Sequence, residues 1–462
     1  MAATDYLVHK SESDPITLIP VLSDQFDKWL KKQTKDLQNW VNAHDYKASP
    51  GSTLNVPGKK GSIDSVLVGV SSDNIMWDYA GLPASLPKGT YKIKGRLKEE
   101  EADTACLGWA LGTYSFDWYK ESTKDFASLV IPKSTDTTRL EALAGGIELT
   151  RDLINIPAAD MGPVELAQAA CDLAADFDAE CTLIQDQDLV EQNFPAVYAV
   201  GKGAADDRRP CLIDMAWGDD KNPKVTLVGK GVCFDTGGLD IKPAQFMKLM
   251  KKDMGGAAHV LGLAKAIMTA KLPVKLRVII PAVENAVSDK AMRPLDVVES
   301  RKGKTIEIGH TDAEGRVVLA DGLALACEDK PELILDFATL TGAARVALGT
   351  ELPALFSNDD QLAHDLLAGG QTEDDHMWRL PLWKPYRKMI DAKTGDLSNE
   401  STAPYGGAIT AALFLEEFVE KSIPWAHMDV MGWNVSSKPG KPEGGEAMGL
   451  RAAFAMIKNR FN

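Results

Sequence analysis

The sequence lacks the cysteine and histidine patterns that small metal-stapled or disulfide-stapled domains use. Six cysteines occur among 462 residues, none with C-x-x-C spacing, and the seven histidines are scattered singly. The absence of regular cysteine and histidine spacing excludes a zinc finger and a disulfide framework. Reduced, mostly buried thiols fit this usage best and indicate a reducing compartment.

Blocks of basic residues and long apolar runs are also missing. The chain carries 66 acidic and 51 basic residues, a net charge of −15. A surface this acidic repels phosphate backbones, so we expect no nucleic-acid partner. No stretch approaches the ~18 uncharged apolar residues of a membrane span, and no basic start precedes an apolar run at the N-terminus. We therefore expect no membrane association, no signal peptide and a cytoplasmic location.

The length of the chain predicts two domains, because one hydrophobic core rarely serves so many residues. Up to about residue 130, short apolar runs alternate with polar turns, with a strand predicted at 65–70, a loop at 82–87 and a helix from Cys106. Apolar residues at helical spacing predict a helix over 138–155 that ends before Pro157. We place an N-terminal α/β domain at 1–136, a connecting helix at 137–158 and a catalytic domain at 159–462.

The second part of the chain alternates strands with helices. The pattern predicts strands at 224–228, 275–282 and 332–338 and helices at 255–270 and 315–328. Such alternation is typical of an α/β fold with a central, mostly parallel sheet flanked by helices.

Four carboxylates carry the chemical information. Asp235, Asp253, Asp312 and Glu314 each fall at a predicted strand end or helix start, the edge of an open α/β sheet where ligands bind. Four carboxylates in one place need protons or a counter-charge. Two divalent cations would supply that charge and give a site for hydrolysis.

Three basic residues flank the same segments. Lys230 and Lys242 bracket the Gly-rich loop, and Arg316 lies two residues past Glu314. A lysine beside metal ions can lose its proton and act as a ligand, because nearby cations depress its pKa. A protonated lysine could instead stabilise an oxyanion, and an arginine can hold an anion through a bidentate fork.

Three strings combine these residues: VGKGVCFDTGGLDIKP at 228–243, MKKDMGGAA at 250–258 and TDAEGRVVLAD at 311–321. In order and spacing they resemble the metal-binding region and signature of the leucyl (cytosol) aminopeptidase family. The resemblance extends over residues 137–462, and the N-terminal region is similar only loosely.

The resemblance implies a metal-dependent aminopeptidase that attacks the first peptide bond with a water bridging two metal ions. It implies that the tighter metal is held by Lys230, Asp235, Asp253 and Glu314. It implies that the more exchangeable metal is held by Asp235, Asp312 and Glu314, with help from the Asp312 carbonyl. Lys242 would stabilise the gem-diolate, and Arg316 would bind bicarbonate as the general base.

The resemblance also implies a substrate pocket and an assembly. The pocket would be formed by Met250, Thr339, Leu340, Gly342 and Met431, and the assembly would be a homohexamer. Carboxylate ligands admit Mn²⁺ or Zn²⁺, and also Mg²⁺ or Co²⁺.

Three positions depart from the family pattern. His310 stands where the signature has asparagine, which we interpret as one hydrogen-bonding group replacing another. Arg345 stands where some members have aspartate; it could alter the access path or pair on the surface, and we favour the surface. Met431 replaces a small residue beside Met250, so it could reshape the pocket and leaves the preference for leucine open.

Other functions stay open on the residues alone. A dipeptidase, an aminopeptidase of narrow specificity not preferring leucine, or a two-metal hydrolase of phosphate esters would use similar carboxylates. A DNA-binding regulator, as some bacterial relatives are, is opposed by the net charge. A structural protein without metal would lack a ligand, and none of the implied ligands is missing.

Overall fold

The computed structural model describes residues 4–11, 14–73, 75–121 and 124–461. Its contacts divide the chain into two compact units. The first comprises residues 1–148 and 436–443, and the second comprises residues 149–435 and 444–462. The division falls within one helix, Thr137–Asn155, where the sequence predicts a helix between two domains. The domain boundaries given above stay a prediction.

The first unit is an α/β unit around a six-stranded sheet. Its strands are β1 (Leu7–Val8), β2 (Ile16–Leu22), β3 (Thr53–Pro57), β4 (Ile63–Val70), β5 (Thr90–Ile93) and β6 (Ser128–Val130). Its helices are α1 (Phe26–Leu30), α2 (Lys35–Ala43), α3 (Ile75–Ala80), α4 (Leu82–Ser85) and α5 (Glu99–Thr113). The strand order is β1-β6-β5-β2-β4-β3, with only the β3–β4 pair of this sheet antiparallel.

One prediction for this unit is wrong. Residues 82–87 were expected to form a loop, but the first four of them form helix α4. Proline favours this outcome here, because Pro83 lies in the first turn, where a helix does not need its N–H.

The second unit contains the remaining elements. After α6 (Thr137–Asn155), its helices are α7 (Pro163–Asp176), α8 (Gln187–Glu191), α9 (Pro195–Gly201), α10 (Ala244–Met247), α11 (Gly255–Thr269), α12 (Glu314–Glu328), α13 (Gly342–Leu348), α14 (Asp360–Thr372), α15 (Gly407–Glu416) and α16 (Leu450–Phe461). Its strands are β7 (Glu180–Gln185), β8 (Cys211–Trp217), β9 (Lys224–Gly229), β10 (Gly231–Asp235), β11 (Lys275–Asn285), β12 (Val297–Glu299), β13 (Thr305–Glu307), β14 (Leu333–Ala338), β15 (Ala354–Ser357), β16 (Trp378–Arg379), β17 (Leu397–Ser398), β18 (Trp425–Asp429), β19 (Trp433–Asn434) and β20 (Gly444–Gly445). Among the described residues, no helix is both long and apolar enough to cross a lipid bilayer.

A nine-stranded mixed sheet organises this unit. The strand order is β16-β15-β18-β14-β9-β11-β8-β7, and β10 pairs with β11. Strands β9, β11, β14 and β18 run parallel to their neighbours in this group, and β8 joins β11 antiparallel. The mostly parallel sheet flanked by helices, and the predicted elements of 224–338, are therefore confirmed with shifts of a few residues at their ends.

Helix α11 packs very closely against the centre of the sheet. A Cβ atom added at Gly256 would lie 2.1 Å from the carbonyl oxygen of Phe337 and 2.7 Å from the amide nitrogen of Lys230. Only glycine permits this approach. The start of α11 is thereby held against the ends of β9 and β14.

The expectation that all six thiols are reduced is wrong for one pair. Cys171 and Cys181 form a disulfide in the structure, with their Cα atoms 5.4 Å apart. They are ten residues apart in the sequence, and the short turn between α7 and β7 brings them together. The other four cysteines are free and buried, as predicted.

Candidate metal centre

The predicted metal ligands come together at the ends of the central strands. Lys230 lies between β9 and β10, and Asp235 is the last residue of β10. Asp253 lies in a 3-10 helix that leads into α11, and Glu314 is the first residue of α12. Asp235 and Glu314 are thus fixed in regular elements, although the sequence placed them in loops.

The Lys230 ammonium group joins two of the carboxylates. Its Nζ lies 2.7 Å from Asp253 Oδ2 and 3.0 Å from Glu314 Oε1, and it donates to the carbonyl of Thr339 at 3.2 Å. All three charged side chains are almost completely buried. Gly315 makes room for this arrangement, because a Cβ there would lie 2.5 Å from Lys230 Nζ.

Lys242 joins the other two carboxylates. Its Nζ lies 2.8 Å from Asp235 Oδ2 and also contacts Asp312 Oδ1. The predicted oxyanion-stabilising lysine is therefore paired with two predicted metal ligands.

Three carboxylates form a set that fits a cation. One oxygen from each of Asp235, Asp312 and Glu314 can be chosen so that all lie within 4.8 Å of one another. Both Glu314 oxygens are buried; Oε1 is paired with the Lys230 ammonium, and Oε2 has no hydrogen-bond partner among the described residues. Buried carboxylate oxygens of this kind normally have partners, so the donor set fits a divalent ion. Asp253 lies outside the set of three and is joined to it through Lys230.

The crowding of negative charge changes how these acids titrate. Burial, and then the charge of Asp235, raise the pKa of Glu314 to about 8. Burial, and then the charge of Asp253, raise the pKa of Asp235 to about 6. In the protein without metal, Glu314 therefore holds a proton near neutral pH.

For the two lysines and Asp253, neighbouring opposite charges outweigh the effect of burial on the pKa. Burial alone would lower the pKa of Lys230, but the charges of Asp253 and Glu314 outweigh it and raise that pKa above its usual value. Burial alone would also lower the pKa of Lys242, but its contacts with Asp235 and Asp312 and the charge of Glu314 together raise that pKa above its usual value. For Asp253, burial alone would raise the pKa, but the charges of Lys230, Lys252 and Lys242 together with the Lys230 hydrogen bond hold it below its usual value. Without metal, both lysines are protonated.

Two supporting contacts were not predicted from the sequence. Asn285 Nδ2 donates to Asp235 Oδ1 at 2.9 Å and to the carbonyl of Thr311 at 3.0 Å. The Thr339 hydroxyl, expected only in the substrate pocket, donates to Asp253 Oδ1 at 2.8 Å. Asn285 ends β11 beside Asp235, but the sequence alone does not reveal this parallel pairing.

Arg316 lies partly buried beside the carboxylates. Its Nη1 donates to the carbonyl of Asn399 at 2.8 Å, while its buried Nε has no hydrogen-bond partner among the described residues. Burial lowers the pKa of Arg316 to about 10. A buried guanidinium with an unused donor fits a small anion.

A cavity of about 830 Å³ opens onto these groups. Its lining includes all five predicted pocket residues, Met250, Thr339, Leu340, Gly342 and Met431, together with Lys230, Asp235, Lys242, Asp253, Asp312 and Arg316.

The structure locates all three departures from the family pattern, with Met431 in the cavity lining. His310 Nδ1 accepts a hydrogen bond from the Asp312 amide at 3.1 Å, which supports its interpretation as a replacement hydrogen-bonding group. The interpretation of Arg345 as a surface residue is wrong. Arg345 lines the cavity and donates to Met431 Sδ at 3.4 Å, because α13 begins directly at the cavity wall.

Comparisons with known proteins give matches over most of the chain. Residues 148–454 match the cytosol aminopeptidase family, catalytic domain, and residues 15–132 match the M17 aminopeptidase, N-terminal domain. A probable cytosol aminopeptidase of Roseiflexus castenholzii is 41% identical over 383 residues, covering 79% of this chain and 78% of that protein.

Two solved structures extend the comparison. The cytosol aminopeptidase of Coxiella burnetii is 48% identical with a TM-score of 0.95, covering 99% of this chain and all of that one. The bottromycin maturation enzyme BotP in complex with Mn is 30% identical with a TM-score of 0.86, covering 97% of this chain and all of that one.

Proposed function

The chain belongs to the cytosol aminopeptidase family and is a metal-dependent exopeptidase, and we propose that Lys230, Asp235, Asp253, Asp312 and Glu314 hold its two divalent ions. The observation that carries this assignment is the Glu314 carboxylate, which is buried among acidic side chains, with Oε1 paired to Lys230 and Oε2 without a hydrogen-bond partner in the described ranges. Removing a carboxylate from water is costly unless a cation compensates it.

Lys230 and Lys242 each join a different pair of carboxylates, and this supports a division of the ligands between two metal sites. Lys230, Asp235, Asp253 and Glu314 would hold the tighter ion, with Lys230 binding as a neutral amine. Asp235, Asp312 and Glu314 would hold the more exchangeable ion, with the Asp312 carbonyl as a further ligand. When bound, the ions would acidify a shared water and polarise the scissile carbonyl.

The chain's own cations would complete the chemistry. With cations held by the carboxylates, Lys242 would no longer neutralise Asp235 and Asp312 and could donate to the oxygen that gains negative charge. Arg316 would hold bicarbonate through its unused Nε, and the bicarbonate would accept the proton of the attacking water. Both roles depend on buried positive charge close to the carboxylates.

We propose peptides with a free N-terminus as substrates, with the first side chain in the pocket of Met250, Thr339, Leu340, Gly342 and Met431. Restriction to dipeptides, or to a narrow set of first residues, is the second candidate, because Met431 and Arg345 contact each other and both line the cavity. Nothing found in the comparisons supports a DNA-binding role.

The metal, the assembly and the location are proposed on similarity. We propose Mn²⁺ or Zn²⁺, supported by the oxygen-rich ligand set and by the similarity to BotP, whose structure was solved in complex with Mn. The family resemblance supports a homohexamer, which light scattering would show as six times the chain mass. The name of the relatives, cytosol aminopeptidase, supports a cytoplasmic location.

The experiment compares Glu314→Gln with Glu191→Gln, an exposed helix residue far from the carboxylates. Each protein is stripped by chelation, reloaded with Mn²⁺ or Zn²⁺, and assayed on leucine and alanine p-nitroanilides and on dipeptides. We expect full activity in Glu191→Gln and loss of both metal and activity in Glu314→Gln. Full turnover by Glu314→Gln with two ions bound would overturn the assignment.

A further inference from the structure

Arg345 places a positive charge on the wall of the substrate cavity. Its Nη1 donates to Met431 Sδ at 3.4 Å, and its Nη2 lies 3.4 Å from the position that a Cβ of Gly342 would occupy. Met431 and Gly342 are both members of the pocket proposed for the first side chain of the substrate. The guanidinium therefore faces that pocket.

Among the described residues, no acidic side chain pairs with Arg345. By contrast, Lys230 and Lys242 in the same cavity each contact two acidic side chains. A thioether sulfur is a weak acceptor, so the contact with Met431 leaves the donors of Arg345 largely unused.

The nearby carboxylate of Asp429 is already committed elsewhere. It accepts hydrogen bonds from the amides of Leu340 and Thr341 and from the Thr341 hydroxyl at 2.6 Å. These three donors fix the loop before α13, at the base of the cavity wall. Asp429 therefore holds the loop in place, and Arg345 keeps its charge for a ligand.

We propose that Arg345 selects peptides with an acidic N-terminal residue, by pairing its guanidinium with the side-chain carboxylate of aspartate or glutamate. This inference rests on the proposed function, because it takes the cavity as the site of the first side chain. A guanidinium and a carboxylate form a strong charge-assisted pair. An apolar first side chain would instead desolvate the guanidinium without compensation.

The test compares the p-nitroanilides of glutamate, glutamine and leucine. In all three the C-terminal α-carboxylate is blocked, so only the glutamate side chain carries a carboxylate. In the natural protein we expect kcat/KM for the glutamate substrate to exceed that for the isosteric glutamine substrate. In Arg345→Met this ratio should fall about 10- to 100-fold, while kcat/KM for the leucine substrate stays equal or rises. Arg345→Lys should keep part of the preference, and Arg379→Met, a partly exposed arginine paired with Asp360, should change nothing.

Each outcome decides between distinct claims. A glutamate-to-glutamine ratio of one or less in the natural protein would overturn the role of Arg345 without any variant, and so would an unchanged ratio in Arg345→Met. A different result would be a fall in kcat/KM for Leu-Gly, relative to that for Leu-Gly amide, as the only effect of Arg345→Met. The arginine would then bind the peptide's C-terminal carboxylate, and the proposal would be wrong. If the metal-loaded natural protein cleaved none of these substrates, the proposed function would fail instead.

Discussion

Binding of the first metal ion should release protons from two identifiable side chains. Without metal, Lys230 is protonated between Asp253 and Glu314, and burial with the charge of Asp235 raises the pKa of Glu314 to about 8. A divalent ion held by both residues needs a neutral amine and an ionised carboxylate, so each proton must leave.

The number of protons follows from these pKa values. Near pH ~6.5, Lys230 and Glu314 each carry about one proton, so the first equivalent of Mn²⁺ should release about two. Near pH ~8.5, Glu314 has lost most of its proton, and the release should fall to about one. Using only the first equivalent avoids the extra proton that two ions together would draw from a shared water.

Isothermal titration calorimetry in buffers with different ionisation enthalpies measures this number. Lys230→Met should release about one proton fewer than the natural protein near pH ~6.5. Lys252→Met is the control, because burial lowers the pKa of Lys252 to about 8 beside the site. The decrease with pH should persist in that variant. Release of less than half a proton near pH ~6.5, or an equal release in Lys230→Met, would refute the reasoning.

Three further predictions concern the surroundings of the site. Asn285→Ala removes the donor to Asp235 Oδ1, so metal affinity measured by calorimetry should fall about 10- to 100-fold; unchanged affinity would show that Asn285 does not orient Asp235. Gly315→Ala would push a Cβ against Lys230 Nζ and should lower metal content, whereas Gly322→Ala in the same helix, with its nearest atom at 3.3 Å, should not; equal metal content in the two variants would contradict this. Burial raises the pKa of Asp321 to about 7, so below that pH the folded state binds a proton that the unfolded state has already released. The free energy of unfolding should therefore fall as the pH rises from about 4 to 7, by roughly 4 kcal/mol at most. Thermal unfolding of the metal-loaded protein should show this slope, and Asp321→Asn should flatten it.

The fold was predictable where a segment's own pattern decides its structure. Helix α6 and strands β9 and β14 follow from apolar spacing, and the structure confirms them within a few residues. The short helix α4 was missed, because proline in a first turn looks the same in sequence as proline in a loop. The bond between Cys171 and Cys181 was missed because it depends on how α7 folds back onto β7.

The candidate site was predictable for residues that belong to recognisable sequence motifs. All five predicted ligands and all five predicted pocket residues lie at one cavity or directly beneath it. The placement of Arg345 and Asn285 could not be read from the sequence, because each acts on residues that lie 50 or more positions away. The contact of Arg345 depends on how α13 packs against the cavity, and that of Asn285 depends on the pairing of β10 with β11.

The most direct test of the metal assignment is anomalous scattering from crystals of the full chain grown with Mn²⁺. We expect two peaks about 3.5–4 Å apart, one within coordinating distance of Lys230 Nζ, Asp253 and Glu314 and the other beside Asp312, with Asp235 and Glu314 reaching both. Peaks at another place, or two bound ions with Lys230 still paired to Asp253 and touching neither ion, would contradict the account.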